Sequence, residues 1–215
     1  MIDLKLSVEK EMDKTRDVIR GFPWENREAY AMWLVQTFHI VNHSTRLVAL
    51  AGALADLNKN ELHCRFVDHA KEERGHQLIA ISDLKALGYT TESFPCLAPS
   101  ASMYQVQYYW IERRGATSFF GYTLALEFLA VTFGAEIHER VLRAHGKDAA
   151  KFLKCHAEDD VDHLEKAFKQ INTLSAPERV VAQENLELST SLYRGMLKEV
   201  QECFAKASAS VKKAA

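Results

Sequence analysis

Convincing strand alternation is missing from this chain, and residues that interrupt helices are scarce: 4 prolines and 9 glycines in 215 residues. Helical periodicity runs almost throughout, which predicts an all-α fold. The 4 cysteines (Cys64, Cys96, Cys155 and Cys203) are widely spaced and form no C-x-x-C pair. That excludes a zinc-ribbon clip and argues against a disulfide framework at this length. The opening Met-Ile-Asp-Leu-Lys lacks a cationic segment followed by an apolar run, so no signal peptide is expected. No uninterrupted apolar stretch reaches the ~20 residues of a membrane span. A net charge of -2 and a pI near 6.5 give no footing for nucleic acid or an anionic membrane. A reducing cytoplasm is the expected compartment, and residues 1–215 are long enough for one domain with a sizeable core.

What is present divides into about seven helices. The first covers 4–20 and closes near Gly21, before a Phe22-Pro23-Trp24 turn. The second runs from the N-cap Asn26 to about Leu57, and the third from Asn60 to a stop at Gly88. Residues 89–99 form the longest loop. Further helices are expected over about 100–113, 116–145 (stopped by Gly146) and 147–173. Ser175-Ala-Pro-Glu178 reads as a capping-box start for the last helix, which heads toward Lys212 with residues 207–215 frayed.

The chemistry concentrates in His156-Ala-Glu-Asp-Asp160-Val-Asp-His163. Offsets of i, i+4 and i+7 place His156, Asp160 and His163 on one helical stripe. Two imidazoles and a carboxylate suit iron, manganese or zinc. The plain alternative is a solvated acidic face, but Phe152, Ala157, Leu164 and Phe168 run an apolar stripe beside it. Upstream, Glu73-Arg-Gly-His76 repeats the acid-x-x-His spacing of Asp160 and His163. Two such pairs on two helices are how helical bundles hold dinuclear metal centres. Glu72 competes with Glu73, because i, i+4 to His76 is also one face. His69 lies seven residues before His76 and reads as a polar residue lining the site rather than a ligand. Glu127 stands alone in Gly121-Tyr-Thr-Leu-Ala-Leu-Glu-Phe-Leu-Ala-Val-Thr-Phe, where a carboxylate is costly to bury unless paired or metal-bound. His39 and His43 on the second helix read as substrate-cavity residues, with ligation as the weaker alternative. Tyr122 belongs with the cavity, among aromatics that mostly build core.

Four pieces follow one another along the chain: Glu72-Glu73-Arg-Gly-His76, the run Leu78–Gly88, the lone Glu127, and His156-x-x-x-Asp160-x-x-His163. Their order resembles the heme-oxygenase-like diiron oxidases, the iron-containing redox enzymes of the TenA/PqqC/heme oxygenase-like superfamily. The resemblance spans roughly residues 26–200. It implies an all-α heme oxygenase-like fold and carries ligand roles onto Glu73 (or Glu72), His76, Glu127, His156, Asp160 and His163. It implies two iron ions per chain and a non-heme diiron oxidase or oxygenase that activates dioxygen to oxidise or cleave a small organic substrate. An electron donor is an optional partner and a homodimer a compatible assembly. The thiaminase II branch of the same fold carries a nucleophilic cysteine on the helix holding Gly121 to Phe133, and none stands there. A non-catalytic iron binder and a metal-free small-molecule binder of the same fold remain as alternatives.

Overall fold

The computed structural model describes residues 2–214, and the side chains of all of these except 158–163, 165 and 205–214. The described residues form nine α-helices and two single turns of 3-10 helix, with no strand. The helices are α1 (Leu4–Arg20), α2 (Arg27–Val41), α3 (Ser44–Ala53), α4 (Asn60–Glu72), α5 (His76–Leu87), α6 (Ala98–Arg114), α7 (Phe119–His145), α8 (Lys151–Ile171) and α9 (Ala176–Ala214).

Local chemistry sets several of these boundaries. The Asp3 carboxylate accepts from the backbone N–H groups of Lys5 and Leu6 at 3.0 and 3.2 Å, starting α1. Asn26 does the same for α2, accepting from Glu28 and Ala29. At the start of α9, the backbone N–H and hydroxyl of Ser175 both donate to Glu178, at 3.0 and 2.7 Å.

The difference from about seven helices lies in two breaks. The span 26–57 is interrupted at Asn42 and His43, and the span 60–87 at residues 73–75. In the first, the His43 ring stacks on Tyr104 of α6 at 4.0 Å, and its Nδ1 meets the Tyr108 hydroxyl at 2.8 Å. Packing therefore redirects a chain whose apolar pattern continues without a gap. In the second, Gly75 adopts φ +103, a left-handed conformation that an L side chain rarely takes. Glu73 and His76 consequently flank a turn instead of sharing one continuous helix.

The core is built around α7, which packs most extensively on α8 and α9. Helix α1 also packs on α9, α2 on α5, and α3 on α4. At Gly121 the α7 and α9 backbones come so close that an added Cβ would sit 2.2 Å from the Ala182 carbonyl oxygen. By length and composition alone, Ala116–His145 is apolar enough to cross a membrane, although Glu127 interrupts its apolar run; 67% of its most apolar window is buried within the bundle.

Candidate metal centre

Four helices deliver the site. The last turn of α4 carries His69, and Glu73 follows at its C-cap. His76 opens α5, Glu127 projects from the middle of α7, and His156 lies on α8. Ligand atoms of Glu73, His76 and His156 all lie within 4.8 Å of one another. His69 Nε2 stands 3.5 Å from Glu73 Oε1 and 3.4 Å from Glu127 Oε1. His76 Nδ1 is 3.4 Å from Glu73 Oε2. Donors bound at ~2.0–2.2 Å to a common ion stand roughly 3–3.5 Å apart, so these separations suit a shared ion.

Hydrogen bonding orients His156. Its Nδ1 lies 3.0 Å from the Phe152 carbonyl oxygen. A carbonyl only accepts, so Nδ1 carries the proton and Nε2 keeps its lone pair for a ligand. The His156 ring also packs on Phe152 at 4.1 Å and meets His76 edge-on at 4.9 Å.

The electrostatics favour a charged carboxylate. Burial opposes ionisation of Glu73, but the His69 and His76 imidazoles against its oxygens hold it well below the usual range. His76 is pushed well above the usual imidazole range by the Cys155 thiol first and the Glu73 carboxylate next. Burial raises the Tyr122 phenol, and the Glu73 charge adds to the effect.

Glu72 turns away from this set, pairing with Arg65 at 3.3 Å and Lys166 at 2.9 Å. Glu73, not Glu72, therefore faces His76. Asp160 and His163 lie outside the described side chains. His69 enters more deeply than its reading as a lining residue, because it bridges Glu73 and Glu127. Its seven-residue offset from His76 signalled a shared face, but not the approach of Glu127. Cys155 beside His76 was missed, since a lone cysteine next to His156 carries no spacing signal.

A cavity of about 120 Å³ adjoins the cluster. His69, Glu73, Glu127, His156 and Tyr122 contribute to its wall, with Trp33, Ile40, Val48, Phe119, Leu129 and Ile137 among the apolar residues. His39 and His43 are not among the described residues lining it. His43 is instead engaged by Tyr104 and Tyr108, while His39 meets the edge of Phe38 at 5.5 Å.

Two carboxylates and three imidazoles, with His69 and Glu127 buried and Glu73, His76 and His156 partly so, form a donor set that fits iron. The architecture is that of heme oxygenase-like helical proteins. A domain of unknown function from Shewanella denitrificans OS217 with this fold matches at TM-score 0.83 and 20% identity, covering 95% of this chain and 94% of that one. A TenA homolog from Pseudomonas syringae pv. tomato DC3000 matches at TM-score 0.74 and 11% identity, covering 91% of each chain. A TenA homologue from Pyrococcus furiosus matches at 0.66 and 14%, covering 90% and 99%. No curated protein sequence matches significantly. The chain belongs to the iron-containing redox enzyme family, which it matches over residues 31–190.

Proposed function

We propose that this protein is a non-heme diiron oxidase or oxygenase that uses dioxygen to oxidise or cleave a small organic substrate. The observation that carries the reading is the meeting of Glu73, His76 and His156 beside His69 and Glu127, on the wall of an apolar cavity. Glu73, His76, Glu127 and His156 would hold iron, with Asp160 and His163 completing the set by their sequence register on α8. His69 is placed to ligate or to hold both carboxylates in position. Iron bound there would supply one-electron redox chemistry toward dioxygen.

The protein contributes orientation and exclusion of water. Glu73 stays ionised through its imidazole contacts, and Phe152 fixes the His156 tautomer. The apolar wall keeps bulk water from a substrate held beside the metal donors. Dioxygen and a small organic molecule are the assigned partners.

Anaerobic ferrous titration followed by an oxygen pulse tests the reading. Two iron ions per chain and oxygen uptake that depends on them are expected. Stoichiometric iron with no oxygen reaction, with or without organic substrates, would reduce the protein to an iron binder.

A further inference from the structure

We propose that Asp83 is a positioning residue for His156, an assignment that rests on the metal reading above: it caps α8 from a neighbouring helix and, through Phe152, holds the imidazole toward the ion. Helix α8 has no side-chain cap of its own, and Ala150 occupies its N-cap position. Its second residue, Phe152, donates its backbone N–H to Asp83 Oδ2 of α5 at 2.8 Å. A capping side chain normally belongs to the N-cap residue and takes the N–H of the second or third helical residue. Asp83 takes that N–H from another helix, and its side chain is fully buried where it does so.

Phe152 carries this constraint to the site. Its carbonyl oxygen faces His156 Nδ1 at 3.0 Å, and its ring lies 4.1 Å from the imidazole. Trp33 packs edge-on against the same phenyl ring at 6.2 Å. The spacing is matched on both helices. On α5, His76 and Asp83 stand at i and i+7 and share a face; on α8, Phe152 and His156 stand at i and i+4 and do likewise. The His76 and His156 rings meet at 4.9 Å, and Asp83 meets Phe152. The two helices are thereby joined at two levels, one at the donors and one at the cap. Apolar packing, such as Ala157 beside Gly134 of α7, where an added Cβ would stand 3.2 Å from that of Ala157, holds α8 close without fixing its rotation. A hydrogen bond is directional and does fix it. Groups behind a metal-bound histidine set its tautomer and orientation, and their loss weakens metal binding.

Long-range proton–nitrogen NMR of the histidine rings in the metal-free full chain, followed by anaerobic ferrous titration of the same proteins, tests the assignment. His156→Gln identifies the His156 signals. Wild type should show His156 as a single tautomer protonated at Nδ1. Asp83→Leu fills the space but accepts no hydrogen bond; it should give mixed His156 tautomers and roughly tenfold weaker iron binding. Asp83→Ala takes its place if the leucine variant does not fold. Asp83→Asn alters charge and stability yet keeps an acceptor, so it should retain the wild-type His156 spectrum and iron affinity. A purely stabilising role for Asp83 would leave both readouts unchanged in the folded leucine variant, and that result overturns the proposal. So does a wild-type His156 protonated at Nε2, or an asparagine variant as impaired as the leucine one. The two readings fail differently. Absence of iron uptake by the wild type rejects the metal reading and the assignment with it, whereas wild-type iron affinity in Asp83→Leu rejects the assignment and leaves the metal reading standing.

Discussion

Two regions bury carboxylates in opposite ways. Between α1 and α9, Glu11 accepts from Arg194 and from the Thr190 hydroxyl, each at 2.8 Å, and also pairs with Lys14. Burial opposes its charge, but Lys14, Arg194 and Thr190 together hold its pKa below the usual value. At the α4–α5 junction, Glu73 and Glu127 instead meet imidazoles at 3.4–3.5 Å. The first arrangement is closed by permanent cations and short hydrogen bonds. The second uses groups that can exchange a proton for an ion. Buried acid therefore marks scaffold in one region and a binding centre in the other, and the partner type separates them.

The largest expected effect breaks the scaffold. Arg194→Met leaves the buried Glu11 with Lys14 and Thr190 but without its guanidinium partner, and should destabilise the protein by about 2–3 kcal/mol. Denaturant unfolding measures this, and the folded fraction should retain wild-type iron stoichiometry. A smaller effect is expected at the junction. Gly75→Ala places a Cβ at φ +103, which should cost about 1–2 kcal/mol and weaken iron binding by disturbing Glu73 against His76. A stability loss with unchanged iron affinity would show that the turn does not set ligand geometry.

A third buried acid sharpens the comparison through pH. Asp83 accepts from the Phe152 backbone N–H at 2.8 Å, tying α5 to the start of α8. Burial pushes its pKa up to about 6 from 3.8, despite the opposing effects of that N–H and Lys151. A raised carboxylate pKa favours the protonated folded form. Its stabilising contribution is therefore complete below about pH 4 and is lost as pH rises through about 6. Asp83→Asn should flatten that window and gain about 1–2 kcal/mol at pH 8 relative to wild type. Thermal unfolding from pH 4 to 8 checks the slope; parallel curves for the two proteins would contradict it.

The all-α class was legible because apolar periodicity and caps such as Asn26 are local signals. The breaks at 42–43 and 73–75 were not. His43 turns through contacts with Tyr104 and Tyr108, which are remote in sequence, and Gly75 sits within an otherwise helical pattern. At the site, the spacing nominated Glu73, His76 and His156, but either Glu72 or Glu73 satisfied the helical geometry. The approach of Glu73 to His76 and the pairing of Glu72 with Arg65 and Lys166 separate them. The contact between His69 and Glu127 joins α4 to α7, so no local period could reveal it.

The most direct test of the central claim is an anomalous-scattering map at the iron edge from crystals loaded anaerobically with ferrous ion. The account predicts two iron peaks among Glu73, His76, Glu127 and His156, both lost in a Glu73→Gln, His156→Ala double variant that remains folded. Iron bound elsewhere, or peaks unchanged in that variant, would contradict it.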